Sequence, residues 1–286
     1  MHLPLLTILF LCFSTAAQSP PTAQPAPAQS VAAAKPIVLP LARGLMNRYV
    51  QAIGGRVALW QLESFKAHAK LSFKGGQAEG QLDLAFRRPN LMRIQLDLAS
   101  LGSSEVGSDG SSAWEILTSD GIKQAEIIPL VDAQRRRRDL NWFELALRLT
   151  DGARSFRTVA PAEYDGHPCW EIQKIARDGS EERIFIDRQN HLLRGIRMIE
   201  TGMAEEHEVS LSFRNWKSVG DLLLFHELIM ARDGIELVID FDQISLDTVS
   251  PNIFQPPDSI QELLRSIPGN ESSRTPAEET PQDSGP

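Results

Sequence analysis

Cysteine is all but missing from this chain: Cys12 and Cys169 are the only two in 286 residues. Positive charge is in short supply as well, with 29 Lys and Arg against 37 Asp and Glu and a formal net charge of -8. A general nucleic-acid binder needs a basic surface, so this balance excludes that class. Long hydrophobic runs are also absent. The apolar stretch Leu3 to Phe13 is only about half of the roughly twenty residues that span a bilayer, which argues against an integral membrane protein.

The signatures of catalysis are missing too. There is no GxSxG, no Walker loop and no dinucleotide fingerprint. His226-Glu227 opens like a zinc-protease helix, but Met230 stands where the second histidine belongs, and the segment reads as a strand. His207 sits in the run Glu205 to Glu208, which reads as a solvated charged hairpin near Gly202. His68 falls on the polar side of a strand and is expected to be exposed. No catalytic residue, metal site or cofactor is assigned, and the expectation is a non-enzymatic protein.

What is present begins with export. Residues 1–17 have an apolar core and small residues at Ser14 to Ala17, the pattern of a secretory signal cleaved near Ala17, which directs the chain to the periplasm. Cleavage there removes Cys12. It leaves Cys169 without an intramolecular partner, and its neighbours Trp170 and Ile172 suggest burial. Residues 18–40 are rich in Pro and Ala and read as a flexible arm; residues 268–286 read as a disordered, acidic, Pro-rich tail. A single folded domain is expected over 41–267.

Within it, alternation of apolar and polar residues dominates. Phe65 to Phe73, Leu82 to Phe86 and Met92 to Leu98 each place apolar side chains on one face, since successive residues of a strand point to opposite faces. A helical stripe from Leu41 to Ile53 and a short helical piece at Val57 to Leu62 precede them. Further strand patterns follow to Phe241, punctuated by turns such as Asp109-Gly110, Asp165-Gly166 and Asp233-Gly234. About ten consecutive strands are expected, as an antiparallel meander. The period changes once, between Leu130 and Leu149, where helical spacing predicts one inserted helix. Its run Arg135 to Arg138 is read as a solvated face, with contact to anionic headgroups, an acidic partner or nucleic acid as the alternative, and Arg135 and Arg138 share a side with Trp142. Asp132 near the start of that helix and Arg148 near its end suit its dipole. Trp114, Trp142, Trp170 and Trp216 are read as core residues, with a ligand-cavity lining as the alternative.

Several short motifs, in order, carry a family resemblance. They are Tyr49 to Gly55, Phe86-Arg87-Arg88-Pro89 leading into Met92-Arg93-Ile94, and Ser108-Asp109-Gly110 before Ala113-Trp114. Asp165-Gly166 before Trp170-Glu171-Ile172, Ile184 to Asp187 before His191-Leu192-Leu193, and the closing Asn252 to Pro257 complete the set. In these the chain resembles the LolA-like family of outer-membrane lipoprotein-sorting proteins. The resemblance implies a mainly β fold with helices (α+β): a curved antiparallel half-open β-barrel under a helical lid. It also implies a periplasmic carrier whose partners are lipid or lipoprotein acyl chains, bound in an apolar cavity between sheet and lid. On that reading Phe65, Leu71, Leu84, Phe86, Ile94 and Leu96 line the cavity, and Leu140, Phe143 and Leu147 cover it. The alternative is a non-enzymatic envelope-interaction or stress-sensor module on the same fold, with envelope proteins as partners.

Overall fold

The computed structural model describes residues 38–74, 78–99, 101–201 and 206–267. The expected signal peptide, most of the arm, the acidic tail, the Gly75-Gly76 turn and the hairpin tip at Gly202 lie outside them. Two helices lead, α1 (Ala42–Ala52) and α2 (Gly55–Gln61). Six strands follow: β1 (Ser64–Phe73), β2 (Glu79–Arg87), β3 (Leu91–Leu98), β4 (Gly102–Ser108), β5 (Ala113–Ser119) and β6 (Ile122–Ile127). Then come α3 (Leu130–Leu140), a 3-10 turn (Trp142–Glu144) and the single turn α4 (Leu145–Arg148). The second strand series is β7 (Ala153–Tyr164), β8 (His167–Ala176), β9 (Glu181–Asp187), β10 (Leu193–Thr201), β11 (Glu206–Val219), β12 (Leu222–Arg232) and β13 (Ile235–Leu246). A 3-10 turn (Pro251–Phe254) and α5 (Asp258–Ser266) end the described chain.

Among the described residues the strands are thirteen rather than about ten, and every neighbouring pair is antiparallel. Their order is β6-β5-β4-β3-β2-β1-β13-β12-β11-β10-β9-β8-β7, so the sheet is open, with β6 and β7 at its edges. This corrects the simple meander. There are two meanders, and the seam between them is the pairing of the first strand with the last, Phe65 with Leu246 through Phe73 with Leu237. Several hairpins turn on residues that accept a left-handed backbone. Asp120-Gly121, Asp165-Gly166 and Asp233-Gly234 have positive φ at both positions, the geometry that matches the twist of flanking strands.

Alternation decides the faces. Phe65, Ala67, Ala69, Leu71 and Phe73 are buried on one side of β1, called here the inner face, whereas Lys66, Lys70 and Ser72 are exposed. Across the register the inner row continues as Phe65, Phe86, Met92, Ser108 and Ala113, and the next as Ala67, Leu84, Ile94, Val106 and Glu115. In the second series, Leu71 continues into Ile239, Leu228 and Phe213.

The outer face has cover as well. Trp114 and Ile116 pack with Ile260 of α5, and Ala85 packs with Val249 and Phe254. Trp114 is fully buried there, on the face opposite the expected cavity, and its indole lies over Gly107, its cross-strand partner, where any Cβ would collide with the ring. Cys169 sits in a third outer cluster with Tyr164 and Phe185. Burial, with the Asp187 carboxylate adding to it, pushes its thiol up to about 11, so it is a poor nucleophile.

Candidate functional site

The expected single helix from Leu130 to Leu149 is broken. α3 ends at Leu140, and Asn141 takes a non-helical backbone while its side chain accepts a hydrogen bond from the Glu144 N–H at 3.3 Å. Asn is a weak helix former and a good cap, because its amide competes for backbone partners. The break turns Phe143 away from the axis of α3 and down onto the sheet. Its ring centroid lies 4.7 Å from Phe65, 5.1 Å from Phe225 in a stacked arrangement, and 5.4 Å from Phe241. The nest extends from Phe86, 5.1 Å from Phe65, to Trp216, 5.7 Å from Phe225, and on to Tyr49 of α1 at 6.3 Å. Aromatic pairs at these separations add to the energy of plain area burial.

All six expected lining residues sit on this inner face and are buried in one continuous core cluster, together with Leu140 and Phe143. Phe65 lies directly under Phe143 with Phe86 beside it, and Leu84 and Ile94 form the adjacent row. Leu71 and Leu96 stand toward the other end of the strands, roughly 20 Å along β1 from Phe65 in the case of Leu71. Leu147 differs: it is half-buried and lines a cleft beside the plug. In this closed arrangement the cover's own side chain fills the space over Phe65.

The arginine run behaves unlike the expected solvated face. Arg136 is buried and pairs with Glu115 on the inner face of β5, with Nη1 to Oε1 at 2.7 Å and Nη2 to Oε2 at 2.8 Å. Arg137 lies 5.8 Å from the Phe86 ring centroid and 3.8 Å from Glu144 Oε2. Only Arg135 and Arg138 face solvent, and the break at Asn141 separates them from buried Trp142. The reason is periodicity: the buried stripe of α3 is Ala133, Arg136 and Leu140, so residue 136 must enter the core whatever its charge. His68 is also less free than expected, with Nδ1 3.1 Å from Asp83.

Beside the plug lies the cleft, of about 690 Å³, between α1, α2, the β2–β3 turn and the cover. Arg88 organises it. Its Nη1 donates to the Trp60 carbonyl at 2.5 Å, its Nη2 to the Leu59 carbonyl at 3.3 Å, and its Nε to Glu144 at 3.2 Å. Its guanidinium also lies 5.5 Å from the Trp60 ring, which is 61% exposed. Arg148 donates to the Asn141 carbonyl at 3.0 Å, bracing the break. Sequence reasoning missed this cluster. Arg88 was legible only as part of a motif, and Glu144 carried no signal beyond its place on the cover.

Among the described residues no group of His, Cys, Asp and Glu is arranged to hold a metal, and no helix is long and apolar enough to cross a membrane. No family model and no curated protein matches the chain. Solved structures do. A DUF1329 family protein from Desulfovibrio piger is 12% identical, with a TM-score of 0.50 over 75% of this chain and 97% of that one. An outer-membrane lipoprotein-sorting protein domain from Vibrio parahaemolyticus is 14% identical, with a TM-score of 0.48 over 78% and 97%. A LolA superfamily protein from Nitrosomonas europaea is 11% identical, with a TM-score of 0.45 over 76% and 98%. At such identities the likeness is one of fold: this chain has the open antiparallel half-barrel with helices that the sequence motifs led one to expect.

Proposed function

We propose that the protein is a periplasmic binder and carrier of lipid or lipoprotein acyl chains, acting in outer-membrane lipoprotein sorting without catalysing a reaction. One observation carries the reading: Phe143, which packs over Phe65, is delivered by a three-residue 3-10 turn of the broken cover, not by a continuous helix. A 3-10 turn and one helical turn have little stability of their own, because helix formation is cooperative with a costly nucleus. They stay in place through Phe143 and its neighbours. An acyl chain that enters between Phe65, Phe225 and Phe241 substitutes one apolar contact for another. Each buried methylene contributes about 0.8 kcal/mol, so a chain of ordinary length compensates readily for the lost aromatic contacts.

Native mass spectrometry of protein purified from its own envelope is expected to show bound lipid, and delipidated protein is expected to take up a fluorescent fatty acid. Phe143→Ala vacates the nest and should raise that uptake several-fold. Failure of both the native protein and the folded Phe143→Ala variant to bind lipid or probe would refute the reading.

A further inference from the structure

The cleft beside the plug is strongly cationic on a chain whose formal net charge is -8. Arg43 and Arg56, from α1 and α2, face it alongside Arg88, Arg137 and Arg148, whereas its carboxylates are Glu144 and Asp151 alone. Glu144 is already shared between Arg88 and Arg137. Among the described residues Arg43 and Arg56 have no carboxylate within ion-pair distance, and Arg137 Nε is buried without a hydrogen-bond partner. Burial holds the Arg137 pKa below its usual value, and neighbouring Arg88 adds to this less than Glu144 opposes it.

Structural use does not account for this set. Arg88 and Arg148 brace backbone carbonyls, but Arg43 and Arg56 are exposed and brace nothing among the described residues. We propose that the cleft between α1, α2 and the cover binds a phosphate-bearing anion. Guanidinium groups present paired N–H donors that match the oxygens of an oxyanion, and several of them converging suit a group with more than one acceptor oxygen. Five guanidinium groups against two carboxylates leave more charge than a single carboxylate ligand would neutralise, so a phosphate fits better than an acyl carboxylate. The rim adds an apolar component, with exposed Trp60 beside Met46 and Leu147. A phosphate esterified to something apolar would use both parts; free phosphate would use the guanidinium groups alone. The site stands independently of acyl uptake in the nest, since an anion can dwell in the cleft with Phe143 in place.

The test uses the full chain with two probes: inorganic phosphate by calorimetry, and flotation with phosphatidylglycerol against phosphatidylcholine vesicles. The variant is Arg43→Glu with Arg56→Glu, both exposed and outside the packed core, with Trp60→Phe to identify the tryptophan whose emission responds. Binding to the anionic vesicles alone, weakened at least tenfold by the double variant and reported by Trp60 emission, supports the site and names a lipid headgroup as the source. Saturable binding of inorganic phosphate that the double variant abolishes, without flotation, supports it and names a free phosphate. The proposal is overturned if neither probe binds, or if whatever binding occurs is the same in the double variant. Neither result bears on fatty-acid uptake, which tests the nest separately.

Discussion

The β1–β6 half of the sheet is covered on both faces, and the two covers are built from different materials. On the outer face the chain end applies Phe254 to Ala85 and Ile260 to Trp114 and Ile116. Its polar ties there are Arg87 and Arg93, which donate to the carbonyls of Val249 and Ile253 at 3.0 and 3.1 Å. On the inner face, α3 and its broken extension combine an aromatic plug with a buried ion pair, Arg136 to Glu115, and the part-buried carboxylate of Glu144 among arginines. Lifting the outer cover exposes apolar surface, at a cost of about 25 cal/mol per Å². Lifting the inner one also separates the buried Arg136–Glu115 pair, and the hydration these two charges recover offsets part of the cost, whereas Arg87 and Arg93 of the outer face, 32% and 28% exposed, are already partly hydrated. A cover fastened by charge is therefore easier to open than an apolar cover of equal area. The outer cover is a closure, and the inner one is suited to be a door.

The sharpest way to break this distinction is to truncate one aromatic on each side. Trp114→Ala and Phe143→Ala each remove a fully or nearly fully buried ring and are expected to cost about 3–5 kcal/mol, read from urea midpoints. They should part in function. Folded Phe143→Ala gains fatty-acid uptake, whereas folded Trp114→Ala does not. Equal uptake by the two would remove the asymmetry between the faces.

The ion pair offers a second test of similar size but opposite logic. Glu115→Ala strands the Arg136 charge in the core and should destabilise by about 3–5 kcal/mol. Glu115→Leu combined with Arg136→Met should recover that loss, because two apolar groups have no hydration to give up. If the pair serves as a latch that opens, this double variant is as stable as the parent or more so, and takes up the probe more slowly. Faster uptake would show that the charges hold the cover closed.

A third substitution supplies the control, a buried polar group that belongs to neither cover. Asp187, at the end of β9, is 2% exposed and receives Arg194 Nη2 at 2.8 Å and the Gln189 N–H at 2.8 Å. Burial alone would raise its pKa, but the hydrogen bonds from Gln189, Arg194 and Asn190 together outweigh that and hold the carboxyl below the usual range. A depressed folded value means the stabilisation is complete above the unfolded pKa of about 3.9 and is lost as pH falls through the folded value. Asp187→Asn should therefore cost about 2 kcal/mol near neutrality and flatten the acid limb of a stability-against-pH curve. Its fatty-acid uptake should match the parent.

How much of this was legible beforehand depends on the kind of signal. The strands of β1 to β3 announced themselves because Phe65 to Leu98 alternates cleanly and its turns use Gly, Pro and Asn. The seam between β1 and β13 was not legible, because pairing Phe65 with Leu246 joins the first and last strands of the sheet, a contact that no local pattern encodes. α5 was missed for a related reason. Ile260, Leu263 and Leu264 form a short stripe next to a Pro-rich tail, and only the outer, Trp114-bearing side of β5 gives that stripe a destination. The lid was half legible: the helical period from Leu130 was visible, but Asn141 read as an ordinary helix residue although its side chain makes the break. That the six expected lining residues share one buried face followed from alternation, whereas the basic cleft draws on elements far apart in sequence, from Arg43 to Asp151.

The smallest expected effect comes from the same arginine run as one of the largest. Counting along the helix from Ala133, the period of 3.6 returns to the buried side at Arg136 and at Leu140. Arg135 and Arg138 fall on the other side, with side chains 60% and 63% exposed and only short local pairs to Asp132 and Asp139. Exposed pairs of this kind contribute little, because water screens them and two long side chains lose freedom in holding one geometry. Arg135→Gln with Arg138→Gln should thus move the denaturation midpoint by less than about 0.5 kcal/mol and leave fatty-acid uptake alone. Four identical letters in a row then give opposite outcomes according to the face they occupy. A large loss from the exposed pair would mean that α3 is held to the sheet by its outer side as well, and the inner cover would then be no easier to lift than the outer one.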